Sequence, residues 1–163
     1  MTIDLSRLFP EQQKLDAHIQ SQHQVTYAST RHKRLLALLV EIGEMINETK
    51  TFKFWSTKPS AAKPIILDEY ADGIHFLLSL ALEVGSKKVQ YDIVPLKLNL
   101  TEATLVTFQQ VSLLIESWSV GQVEAAFQAY LNLMPLLGFT GEEVIAAYFQ
   151  KLGVNYTRQQ NQY

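Results

Sequence analysis

At 163 residues the chain is long enough for one sizeable core, and with no cysteine it excludes disulfide frameworks, zinc–thiolate sites and thiol chemistry. Lysine and arginine number 14 against 16 aspartates and glutamates, so the net charge of -2 gives no electrostatic footprint for nucleic acid or an anionic membrane. Hydrophobic content of 47% with 18% charged residues excludes wholesale disorder. No run of 18 uncharged apolar residues occurs, so no bilayer span is expected.

The start, MTIDLSRLFPEQQ, lacks the basic-then-apolar layout of a signal peptide, and a cytoplasmic protein is expected. An apolar cluster (Ile3, Leu5, Leu8, Phe9) precedes a glutamine-rich helix that opens at Pro10 and turns Leu15 and Ile19 inward. Residues 26–30 form a polar break in which Ser29 or Thr30 is the expected cap of a second helix, about Arg31 to Lys50. The basic first turn of that helix (Arg31, His32, Lys33, Arg34) opposes the helix dipole and reads as a solvated face.

Residues 51–63 form a loop with three aromatics, Phe52, Phe54 and Trp55, interleaved with Lys53 and Lys58. So apolar a loop is expected to fold back, either as a lid over the core or as a surface for a base and phosphate. A third helix runs from about Pro64 to Glu83 and stops at Gly85. Residues 86–100 permit a short extended piece. A fourth helix is expected at 102–118 with Thr101 as cap, and a fifth at 120–137, where Ser119 and Gln122 have capping-box spacing and Gly138 is the stop. A sixth opens with a second capping box, Thr140 and Glu143, and ends near Leu152–Gly153, leaving a polar tail at about 153–163. The whole chain, 1–163, reads as one all-α domain, a bundle of five to six helices around a central pair, helices two and three.

That central pair carries the chemistry. Glu41 and Glu44 are spaced i, i+3 on one helix, and Glu69 and Asp72 have the same spacing on the other, so each pair shares a helix face. Both helices are apolar on nearly every side, where unpaired carboxylates are costly. Hard oxygen ligands converging from two helices suit Mg²⁺ or Mn²⁺, two or more of which would bind a polyphosphate and activate water. Glu48 lies on the Glu44 face and is within reach of the same site. A di-iron bundle would want two Glu-x-x-His pairs, and only Asp72-Gly-Ile-His75 comes near one. His75 reads as a packed histidine, and His18, His23 and His32 are scattered. Gly43 and Gly73 sit beside the acids but off their face, which points to close helix packing. The competing reading of the same spacing is an ordinary solvated helix face.

Glu41-Ile-Gly-Glu44 followed, after 24 intervening residues, by Glu69-Tyr-Ala-Asp72 resembles the two metal-binding motifs of the all-α nucleoside triphosphate pyrophosphatases, a superfamily that includes the MazG-like enzymes. Within it the chain is most similar to the dimeric dUTPases. The narrower likeness rests on Gly-Ile-His75-Phe76 after Asp72, on Phe52-Lys53-Phe54-Trp55, and on Lys151, Asn155, Arg158-Gln159 and Tyr163. The resemblance implies a homodimer that hydrolyses dUTP, and also dUDP, to dUMP with Mg²⁺. Glu41, Glu44, Glu69 and Asp72 would hold the metal, and Glu41 would orient the attacking water. Lys151, Asn155 and Arg158 would contact phosphates or sugar, closing over the ligand. Gln13, Asp16, Lys53 and Trp55 would contact the substrate, with Asp16 standing where some relatives carry asparagine. Dimerisation is also expected from apolar residues late in the chain (Leu113, Leu114, Ile115, Phe127, Leu131, Leu133, Leu136 and Leu137). The alternatives are a related pyrophosphatase acting on dCTP or a non-standard nucleotide, and a non-catalytic helical module that binds a partner protein.

Overall fold

The computed structural model describes residues 1–161. In chain order it consists of β1 (Thr2–Asp4), α1 (Leu8–His23), α2 (Tyr27–Thr49), α3 (Lys63–Val84), β2 (Gln90–Asp92), α4 (Leu100–Leu113), α5 (Val120–Leu131), the single turn α6 (Met134–Leu137) and α7 (Gly141–Gln160). The fold is all-α, and α2 and α3 form its most extensive helix pair. β1 and β2 pair antiparallel, Ile3 opposite Tyr91, and both of these side chains enter the core. The extended piece expected after α3 is therefore real, and its partner is the apolar start of the chain.

Helix ends follow local chemistry, at some positions shifted from expectation. Thr26, not Ser29 or Thr30, caps α2: its side chain accepts from the Ser29 amide while Ser29 Oγ accepts from the Thr26 amide. Asn99, two residues before Thr101, makes the equivalent box with Glu102 for α4. Ser119 accepts from the Gln122 amide as expected, but the Gln122 side chain turns instead to Gln110, so the box is not closed. Thr140 and Glu143 do close theirs. The helix expected over 120–137 breaks after Leu131, because Pro135 has no N–H to continue the ladder and begins a new turn. The largest difference is at the C-terminus, where α7 runs through Gly153 to Gln160. Gln22 donates to the Gln159 carbonyl (3.1 Å), His23 pairs with Gln159 Oε1 (3.0 Å) and Tyr156 packs beside His18, so α1 supports a mostly polar segment.

Two other expectations change. Most of the late apolar residues belong to this chain's own core: Leu114, Phe127, Leu131 and Leu133 are buried, and only Leu113 and Ile115 are exposed. The aromatic loop does not fold back. Lys50 takes a left-handed turn (φ 59°), and Phe54 and Trp55 pack edge to face on each other (5.0 Å) with 94% and 65% of their surfaces exposed.

The rotation of α3, which aims its acids, is set against α5. Tyr70 donates to the Tyr130 carbonyl and Tyr130 to the Tyr70 carbonyl (3.1 and 2.9 Å), and their rings stack at 4.5 Å. Both phenols are fully buried, so this reciprocal pairing meets the cost of taking two hydroxyls out of water. Gly73 makes the clasp possible, since a Cβ there would lie 2.2 Å from Tyr130 Oη. Gly43, by contrast, has nothing within 4 Å of a Cβ position. Gly73→Ala is expected to destabilise the fold by about 1–3 kcal/mol through overpacking. Gly43→Ala is expected to stabilise it by up to about 1 kcal/mol through helix propensity. Thermal unfolding of the two variants, shifting in opposite directions, checks both.

Candidate active site

Glu41 on α2 and Glu69 and Asp72 on α3 bring carboxylate oxygens within 4.8 Å of one another, each half-buried. Burial first, and then the charges of Asp72, Glu44 and Glu69, push the Glu41 carboxyl up to about 7. Burial likewise raises Asp72 and Glu69. Three acids so placed repel one another in a poorly hydrated pocket, and a bound cation reverses the sign of that interaction. Glu44 lies outside this trio and is exposed, although its charge is felt by Glu41 and Glu69. Glu48 does not join; it pairs with Lys50 at 3.7 Å.

Lys151 of α7 sits against the cluster's rim. It is buried, and its Nζ lies 2.7 Å from both Asp68 and Asp72. Burial pulls the ammonium pKa down, but the two carboxylates outweigh it and the net shift is upward. Asp68 was not foreseen as a member of the site; its i, i+4 relation to Asp72 is the signal that could have shown it.

Beside the acids a cavity of about 440 Å³ opens between α1, α2, α3 and α7. Glu41 and Asp72 line one part of it, and Gln12, Asp16 and His75 another, with Asn155 and Arg158 contributed by α7. Asp16, Asn155 and Arg158 thus share one cavity, and Lys151 stands at its acidic side. Gln13, Lys53 and Trp55 do not line it. Gln13 is exposed, and its neighbour Gln12 is the buried one, since one residue on a helix rotates the side chain by about 100°. Lys53 instead donates to Asn47 Oδ1 (2.7 Å). Tyr163 lies outside the described residues.

The polar wall is tightly connected. Gln12 Nε2 donates to Asp16 Oδ1 (2.8 Å), and the Tyr27 hydroxyl donates to Asp16 Oδ2 (2.9 Å). Burial raises the Asp16 carboxyl, against the pull of its Gln12, Ser79 and Tyr27 hydrogen bonds and the Arg34 charge. Half of the basic turn of α2 also points inward: Arg31 and Arg34 both pair with buried Glu83, and Arg34 reaches Ser79 Oγ (3.2 Å). The expected solvated face holds only for His32 and Lys33. Tyr27, Arg34 and Ser79 were not anticipated, because only helix packing brings them to Asp16.

A carboxylate trio beside a recess with one polar wall is an arrangement that suits a metal ion and a nucleotide. A sequence model of the dUTPase family matches residues 4–163, and the chain belongs to that family: it is a dUTP diphosphatase. Comparison with individually curated proteins finds no match. The family is metal-dependent, and the trio Glu41, Glu69 and Asp72 fits a hard divalent ion by donor type and spacing.

The pH dependence of the metal-free protein follows from Glu41. Its folded pKa of about 7 lies above the ordinary 4.5, so the folded state binds the extra proton between those values. Stability is therefore full below pH 4.5 as far as this group is concerned, and falls as pH rises to 7. Thermal unfolding in a chelator should show that decline. Glu41→Gln should lessen it, leaving the part due to Asp72 and Glu69, and added Mg²⁺ should raise the midpoint most near neutral pH.

Proposed function

We propose that this dUTPase cleaves the bond between the α and β phosphates of dUTP, giving dUMP and pyrophosphate, with Mg²⁺ (or Mn²⁺) and with dUDP as a further substrate. The observation that carries this reading is the convergence of Glu41, Glu69 and Asp72 beside a cavity whose other wall is polar and buried. Glu41, Glu44, Glu69 and Asp72 would hold two or more ions, with Glu44 joining from one turn along α2. When bound, the ions neutralise the triphosphate and lower the pKa of a coordinated water.

The remaining roles belong to side chains of this chain. Glu41, at the junction of the acid trio and the cavity, orients the attacking water and is the group placed to accept its proton. Lys151 neutralises charge at the phosphate end, supported by its position against Asp72. Asn155 and Arg158 hold phosphate or sugar from α7, and the length of that helix supports a closing wall that excludes water. The base end is the Gln12–Asp16 wall, with Gln12 taking the place expected for Gln13.

The chain would act as one domain over residues 1–163 and as a cytoplasmic homodimer, with neither nucleic acid nor membrane as partner. No helix among the described residues is long and apolar enough to cross a membrane. Support for a dimer comes from exposed Leu36 and Val40 on α2, Leu105 on α4, and Phe54 and Trp55 in the loop. Lys53 and Trp55, outside their own cavity, would then meet substrate at a second subunit's site.

Pyrophosphate release measured with each deoxynucleoside triphosphate and Mg²⁺ is expected to be greatest with dUTP. Asp72→Asn and Glu41→Gln should each lower kcat by at least about a hundredfold while the fold is retained. No turnover of any nucleotide by folded protein would overturn the reading, and turnover of dCTP without dUTP would overturn the substrate. Sedimentation should give twice the 18.5 kDa chain mass, and a double change of Leu36→Glu and Trp55→Ala should return it to the monomer value.

A further inference from the structure

Lys151 is buried (5% exposed), which is costly for an ammonium group unless carboxylates meet it. Its Nζ lies 2.7 Å from Asp72 Oδ2 and 2.7 Å from Asp68 Oδ2, so one cation bridges two acids a helical turn apart on α3. The two acids differ in their surroundings. Asp72 is largely covered (15% of its side chain exposed), belongs to the trio with Glu41 and Glu69, and lines the cavity. Asp68 belongs to neither the trio nor the cavity wall. Its side chain is 53% exposed and lines a separate crevice along the α3–α7 seam, with Pro64, Ala147 and Gln150. The ammonium thus joins an inner carboxylate at the cavity to an outer one at the surface.

Resting on the reading of Glu41, Glu69 and Asp72 as ligands of a divalent ion, we propose that Lys151 is a place-holder for that ion and Asp68 the positioning residue that retains the lysine. In the ion-free protein Lys151 supplies positive charge to Asp72. A divalent ion on the same carboxylate competes for it and repels the ammonium. A buried ammonium left with no partner would oppose ion binding outright. Asp68 removes that conflict, because the ammonium keeps a charge-assisted hydrogen bond at the outer acid when Asp72 turns to the ion. The backbone of α7 need not move for this exchange, since both oxygens already lie within reach of Nζ. Asp68 therefore acts on the ion through Lys151 and not as a ligand.

The test measures Mn²⁺ binding to the full chain without nucleotide, by loss of the free-ion electron paramagnetic signal. Lys151→Met should bind Mn²⁺ about three- to tenfold more tightly than the unaltered protein, even though its dUTP turnover falls. Asp68→Asn should bind Mn²⁺ about three- to tenfold more weakly, and Asp68→Glu should return the affinity to within about twofold. In the Lys151→Met background, Asp68→Asn should change the affinity by less than about twofold, since the group through which it acts is gone. An equal loss in both backgrounds would reduce Asp68 to a long-range charge and overturn its positioning role. Lys151→Met that binds Mn²⁺ no more tightly would overturn the place-holder. Thermal unfolding in a chelator checks that each variant is folded, and Lys151→Gln replaces Lys151→Met, with the same outcomes, if the latter is not. If the unaltered protein binds no Mn²⁺, or Asp72→Asn binds it equally well, the reading of the trio as ion ligands fails and this inference fails with it. Mn²⁺ binding that Asp72→Asn abolishes, with no tightening in Lys151→Met, sinks this inference alone.

Discussion

The structure depends on an electrostatic imbalance held between α2 and α3. Glu41, Glu69 and Asp72 face one another in half-buried surroundings, and Lys151, brought against them, comes from the far end of the chain. Burial and mutual repulsion raise all three carboxyls, which is an unfavourable arrangement for a protein alone. A bound cation would reverse the sign of that interaction. The fold thus gives up stability at one place to hold three acids whose charge Lys151 offsets only in part.

Rigid packing keeps that arrangement in place. The Tyr70–Tyr130 clasp, allowed by the missing side chain of Gly73, locks the rotation of α3 so that Glu69 and Asp72 turn toward α2. On the other side, Glu83 draws Arg31 and Arg34 of α2 onto the later turns of α3. α3 is therefore held against α5 at the level of the acids and against α2 at its later turns, which opposes rotation that would relieve the repulsion. α7 closes the third side, its terminal turns supported by Gln22 and His23 of α1. The loop between α2 and α3 stays outside this system, with its rings turned to solvent.

Much of this was legible along the chain because it is local. Acid pairs at i, i+3, a capping box at Thr140, a stop at Gly85 and apolar stripes all follow from helical geometry over a few residues. The family likeness extended that reading to an activity, and the match over residues 4–163 agrees with it. Errors fell where local signals compete. Thr26 and Ser29 are both good caps, and the one whose backbone leaves the helix cannot be told from composition. Gln12 and Gln13 are chemically identical neighbours, and which is buried depends on the phase of α1 against α3 and α7.

By itself, then, the sequence determined the helical class, the pair of acidic helices and the chemistry that their carboxylates permit, since all three depend on spacing within single helices. Only the tertiary structure decided that Glu69 and Asp72 meet Glu41 while Glu44 remains outside their trio. It also decided that Lys151 pairs with Asp68 and Asp72, and that the C-terminal segment is helix. Those outcomes turn on helix rotation, crossing and burial, which are set by side chains such as Tyr130 and Glu83 that lie far away in sequence. A mostly polar segment such as 153–160 has only a weak signal of its own for helix; its support comes from Tyr156 packing on the core and from a neighbouring element.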